Sequence, residues 1–136
     1  VHIEDTVTQV PLFDECVRPI CTGYTGYKNE RFIPSYCIHP HLEAVEYEPQ
    51  QGSHGVVLSY LYGGVLDITS IRPVGNGILL NQSSYNNRCG FHAVGTGSNT
   101  GVYLGAGSDE NVYDWNSQNF ATQHTNSGSN NVQRGT

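Results

Sequence analysis

His39, His41, Glu43 and Glu46 fall in one short run, His39-Pro40-His41-Leu42-Glu43-Ala44-Val45-Glu46, which brings two imidazoles and two carboxylates close together. On an extended strand, residues two apart share a face, so His39, His41 and Glu43 would point the same way. Two imidazoles and a carboxylate form a ligand set for a divalent transition metal, with room left for water or substrate. A divalent metal is the one cofactor the sequence suggests; otherwise none is expected. The plainer alternative is a polar edge strand carrying two exposed histidines.

A second constellation is Asn87-Arg88-Cys89-Gly90-Phe91-His92, with Gln82 upstream. A Cys89 thiolate would need a base, His92 or His124, and an orienting carboxylate such as Asp114. The helix that usually lowers such a thiol's pKa cannot form here, because Gly95-Thr96-Gly97-Ser98 follows at once. A structural cysteine fits better. The glycines from Gly95 to Gly107 lack the Lys and helix of a phosphate loop, and Asp109 and Glu110 bring the wrong charge. Asp109, Glu110, Asn111 and Asp114 offer oxygen ligands for calcium, without the spacing of an EF-hand.

Two of these patterns resemble known families. The spacing His39…His41…Glu46 is similar to the first metal motif of the cupins, and Pro73-Val74-Gly75 to the start of their second. That resemblance implies a metal-binding β-barrel enzyme using His39, His41 and Glu46; the place of the third histidine is held by Ile78. Gln82 followed by Cys89-Gly90 resembles the oxyanion-hole glutamine and nucleophile of papain-like cysteine hydrolases.

The elements that must position these groups read as strands. Helix formers are scarce, while Gly, Thr, Tyr, Val and Asn are common. Val56 to Tyr62 and Val65 to Ile71 flank Gly63-Gly64, the spacing of a tight antiparallel hairpin. Leu66 and Ile68 should face one way, Asp67 and Thr69 the other. Asn76-Gly77 reads as a second turn before Ile78-Leu79-Leu80. Shorter strands are expected at Thr6 to Phe13, Arg31 to Ile33, Tyr36 to Ile38, His41 to Glu48, Cys89 to Val94, Gly101 to Leu104 and Val112 to Trp115. No internal repeat stands out. The expected fold is all-β: a small antiparallel β-sandwich or barrel, spanning 1–115, with disulfides and a polar C-terminal extension.

Cys16, Cys21, Cys37 and Cys89 do not have zinc-site spacing, so two disulfides are expected, Cys21–Cys37 and Cys16–Cys89 for preference. With the sequon Asn81-Gln82-Ser83 and no Met, this suggests a mature, secreted chain. A net charge of −6 and the low charged fraction of 13% give no footprint for nucleic acid or an anionic membrane, and no apolar run is long enough to span one.

The segment 116–136, rich in Asn, Ser, Thr and Gln, has a composition normally too polar to order alone. It is therefore expected to pack on a partner, most simply another copy. Tyr103, Tyr113, Trp115 and Phe120 are the candidate binding residues, and Val1 to Phe13 and Val112 to Phe120 the candidate contact segments. The leading expectation is a non-enzymatic extracellular structural or adhesive protein that self-associates as a homo-oligomer or polymer, such as a filament subunit. A monomeric secreted binding protein (toxin, effector or lectin-like module) engaging a glycan or cell-surface protein is the first alternative. The metal-binding β-barrel enzyme is the second.

Overall fold

The computed structural model describes residues 2–4, 8–10, 16–18, 20–28, 30–32, 35–50, 54–81 and 84–134. In chain order the strands are β1 (His2–Glu4), β2 (Thr8–Val10), β3 (Cys16–Val17), β4 (Ile20–Tyr27), β5 (Glu30–Phe32), β6 (Ser35–Ile38), β7 (His41–Tyr47), β8 (His54–Tyr62) and β9 (Val65–Ile71). Then come β10 (Asn76–Asn81), β11 (Ser84–Tyr85), β12 (Arg88–Val94), β13 (Thr100–Leu104), β14 (Ser108–Asp109), β15 (Val112–Gln118), β16 (Thr122–Asn126) and β17 (Val132–Gln133). The expected strands have counterparts in β2, β5 to β10, β12, β13 and β15, with parts of Thr6 to Phe13 and Arg31 to Ile33 outside the described residues; β1, β3, β4, β11, β14, β16 and β17 are not among those expected. The expected antiparallel pairing is not found among the described residues.

Every described ladder is parallel. One sheet runs β1-β4-β7-β9-β12-β15-β17. The second runs through β8, β10, β13 and β16, with a bent limb that includes β6, β11 and β14. The chain is a β-solenoid, not an antiparallel sandwich or barrel. It climbs one rung per coil: His41 pairs with Val65, Val65 with Arg88, Arg88 with Val112 and Val112 with Val132. The coil is therefore a repeat, of uneven length, that the sequence did not display openly.

The Gly63-Gly64 hairpin is not formed. Gly63 turns a corner from one sheet to the other with φ 65°. Stacked corners carry the same left-handed backbone in Arg18, His39, Asn86, Glu110 and Asn130. That conformation is costly for ordinary residues and least so for Gly and Asn. Stacking helps to hold it, since His39 N–H donates to Tyr62 O and Gly63 N–H to Tyr85 O on the next rung. Asn76-Gly77 is no turn either. Gly77 lies inside β10, and a side chain there would collide with the Gly101 carbonyl, so the glycine serves close packing.

The interior consists of columns. Cys21, Leu42, Leu66, Cys89 and Tyr113 stack along the first sheet, beside Tyr24, Ala44, Ile68, Phe91 and Trp115. Val56, Ile78, Val102 and His124 form a column on the facing sheet. Leu66 and Ile68 point in and Asp67 points out, as their alternation predicts. Each buried Leu, Ile or Phe contributes roughly 1.5–3 kcal/mol.

No disulfide is formed among the described residues, and Cys21 and Cys89 are buried thiols. Both favoured pairings are thereby overturned. Cys21 and Cys89 lie in one inward column three rungs apart, with Leu42 and Leu66 between them, and serve there as small apolar residues. Cys16 pairs in register with Cys37, its side chain lying outside the described set.

The described part of the polar segment, to Arg134, carries strands that pair with the rest of the chain. β15 runs across the expected boundary at 115/116, β16 pairs with β13, and β17 with β15. An asparagine ladder fixes the corner before each strand. Gly64 N–H donates to Asn87 Oδ1 (2.8 Å), Asn87 N–H to Asn111 Oδ1 (2.9 Å) and Asn111 N–H to Asn131 Oδ1 (2.9 Å). The side-chain amides of Asn87 and Asn111 repeat the step at 3.0 Å. Asn87 and Asn111 are buried, so each unmade bond would cost about 1–3 kcal/mol.

Asn111→Ala leaves the Asn87 donors without their acceptor and should lower the urea unfolding free energy by roughly 2–4 kcal/mol. A loss under about 0.5 kcal/mol would contradict the ladder. A reducing agent should leave the melting temperature unchanged. Loss of a structural disulfide would instead cost about 2–5 kcal/mol and several degrees.

Candidate functional site

The histidine–carboxylate run sits on β7 and the corner before it. His39 lies in the corner, its Nδ1 3.1 Å from Gly63 O. His41 and Glu43 share the outer face, with Nε2 and Oε1 3.3 Å apart. Glu46 points inward and is fully buried; Tyr24 O–H donates to its Oε1 at 3.1 Å. The carboxylate lies over Gly26, where any side chain would strike it. The strand thus splits the four residues between a corner, an outer face and the core. No group of three metal-ligating side chains gathers among the described residues.

Cys89 faces the core, and burial pushes its thiol well above the ordinary range. His92 and Asp114 lie at outward positions, while His124 sits in the inward column of the other sheet. The groups of a cysteine hydrolase are not assembled, and no helix opens at Cys89. Gln82 lies outside the described residues. Asp109 accepts from Ser129 N–H at 2.7 Å, and Asn111 belongs to the ladder. Of the candidate binding residues, Tyr113 and Phe120 are buried and Trp115 packs against the core; Tyr103 is half-buried.

Two other places stand out. The first is the C-terminal edge, formed by β15 and β16. There the apolar columns end in polar aromatics: His124 stacks on Trp115 (4.9 Å, 6°) and lies 5.4 Å from the Tyr113 ring. Trp115 Nε1, Ser117 Oγ, Gln123 Oε1 and His124 Nε2 are buried atoms with no hydrogen-bond partner among the described residues. The same strands carry unpaired backbone. Val112 N–H donates to Asn87 O on the β12 side, and Arg134 N–H to Tyr113 O on the other. Strand alternation then turns the N–H and C=O of Trp115 and Ser117 toward the open side, beyond the short β17.

The second is the outer face of the seven-stranded sheet. A cleft of about 640 Å³ spans three coils there, with Gly90 at its floor between Asp67 and Asp114. Sequence reasoning names Val112 to Phe120 as a contact segment, which covers β15 of the first place, but gives neither its partner strand β16 nor the cleft. Both follow from which residues become rung neighbours, which needs the coil length.

Burial holds the His54 and His124 imidazoles below the ordinary histidine range. The unfolded chain then takes up protons first as the pH falls. Their contribution to stability is complete above about pH 6.5 and is lost as the pH drops through the lowered folded-state values. The unfolding free energy should therefore decline from about pH 7 to about pH 5, and less steeply in His124→Phe. A wild-type profile that is flat there, or rises, would contradict the burial of these rings.

Comparison with family models, with curated proteins and with solved structures finds no match to this chain.

Proposed function

We propose that the chain is a non-enzymatic structural module that self-associates end to end, coil upon coil. The observation that carries this reading is the C-terminal edge. Trp115 Nε1, Ser117 Oγ, Gln123 Oε1 and His124 Nε2 lack partners among the described residues, as Ser70 Oγ does in the middle of the stack, and strand alternation leaves the backbone groups of Trp115 and Ser117 on the open side of β15. A buried polar group without a partner costs free energy, and an unpaired parallel strand is a template for another. At the far end of the same sheets lie β1 and β2. In a parallel solenoid the two ends are complementary, so a second copy would add its β1 to β15 and its β2 to β16. Such a contact is heterologous and propagates into a filament.

The segments Val112 to Phe120 and Val1 to Phe13, of which 2–4 and 8–10 are described in the latter, belong to these two ends. A non-enzymatic reading fits Cys89 and Glu46, which are buried away from His41, Glu43 and His92. We extend the proposal to an extracellular structural or adhesive setting. It rests on the sequon at Asn81 and the uncharged Asn, Ser, Thr and Tyr surface, with no support from disulfides.

Sedimentation of the 14.9 kDa chain across a concentration series tests the reading. Species of two, three and more copies should grow with concentration. Ser117→Pro removes one N–H on the open side and should leave monomers that still melt cooperatively, while Ser117→Ala should still assemble. A wild-type monomer up to about 1 mM would sink the proposal.

A further inference from the structure

The geometry points to a second, separate site: the cleft over Gly90 binds a neutral oligosaccharide lying along the solenoid axis. This inference does not require end-to-end association: the cleft opens on the outer face of the sheet, although its far wall, Val112 to Asp114, belongs to the strand that forms the C-terminal edge.

Gly90 stands in the middle of β12, where glycine weakens a strand and contributes no side-chain packing. Its φ is not in the left-handed region. A Cβ added there would meet only Asp67 Oδ1, at 3.9 Å, an ordinary contact. Gly55, Gly64, Gly77, Gly95 and Gly101 differ, since a side chain at any of them would collide with neighbouring atoms. Packing explains those glycines and does not explain Gly90. What its missing side chain does is keep the cleft floor open. Glycine inside a strand commonly marks a place where a ligand approaches the backbone.

The lining names the ligand's chemistry. Asp67 and Asp114 stand on either side of Gly90, two rungs or about 9.6 Å apart along the column. Arg88 and Arg134 line the same cleft. None of these four side chains has a hydrogen bond or ion pair within the described residues. Carboxylates accept and guanidiniums donate, so the cleft offers both halves of the bonding that a sugar hydroxyl makes. Two charges of each sign give no net preference for a cation or an anion. Val65 and Val112 add apolar surface for the C–H groups of a ring.

The ligand is elongated. A smaller cleft of about 240 Å³ lies on the same face, over the bulge at Gly23, and shares Asp67 as a wall. Gly23 has nothing within 4 Å of where a side chain would begin. Glu43 and Thr69 line this second part. The two clefts adjoin at Asp67 and together reach from β4 to β15, with glycine gaps on both sides of the Glu43–Asp67 ridge.

Calorimetric and ¹H–¹⁵N NMR titrations of the full chain with cellohexaose, chitohexaose, hexagalacturonate and spermine test this. A neutral hexasaccharide should bind and shift the amides of Asp67, Gly90 and Asp114. Gly90→Val should weaken that binding by roughly tenfold or more while melting as the wild type does. Asp114→Asn should weaken it too, and serves as the test if Gly90→Val fails to fold. Neutral sugars that fail to saturate by about 10 mM would overturn the inference. So would binding that Gly90→Val leaves unchanged, or tight binding of hexagalacturonate or spermine alone, which would mean recognition by net charge.

Discussion

Parallel, in-register stacking of coils is the constraint from which everything else in this chain follows. A residue that points inward must lie over another inward residue one rung away, and each rung must carry its corner at the same place. Leu42, Leu66 and Cys89 can occupy one column because each fills the space between its neighbours. Asn87, Asn111 and Asn131 can occupy another because each supplies the acceptor its predecessor's N–H requires. The corners of Arg18, His39, Asn86, Glu110 and Asn130 take a left-handed backbone that their neighbours on the stack share. Strain at one corner is therefore met by hydrogen bonds from the next coil, not by the local sequence alone.

The same constraint decides where function can sit. Inward positions are committed to columns, which is why Cys89 and Glu46 are buried although their spacing in the chain looks suggestive. Two kinds of surface remain. One is the edge, where a column has a neighbour on one side only; there Val102 gives way to His124 and Phe91 to Trp115. The other is the outer face, where the same register lines up Glu43, Asp67, Gly90 and Asp114. A solenoid that contacts only nearest neighbours leaves both surfaces free of packing demands.

Strand content was legible in the sequence, and so was the facing of Leu66, Ile68 and Asp67, because alternation is a local property of an extended chain. Strand direction was not. Gly63-Gly64 between two β-rich runs has the same composition whether it closes a hairpin or turns a solenoid corner, and only the residues it stacks on distinguish the two. The repeat was hidden by coils of unequal length and by columns that conserve only the inward sense of a residue. A weak signal existed: Asn87-Arg88-Cys89, Asn111-Val112-Tyr113 and Asn131-Val132-Gln133 each place an Asn just before a strand. The polar segment after Trp115 misled in the same manner. Its Asn and Ser are poor at burying apolar area and good at laddering between rungs, and composition alone reports only the first property. The outward cleft was out of reach, since Asp67, Gly90 and Asp114 become neighbours only once the rungs are known.

The register of the coils is tested most directly by cross-strand nuclear Overhauser contacts in the isotopically labelled chain. Parallel stacking predicts contacts of Cys89 Hα with Leu66 HN and of Tyr113 Hα with Cys89 HN, each across a register pair. Close Hα–Hα contacts pairing β8 with β9 across Gly63-Gly64 would be the mark of an antiparallel hairpin. Finding those in place of the long-range parallel set would contradict the solenoid and everything built on it.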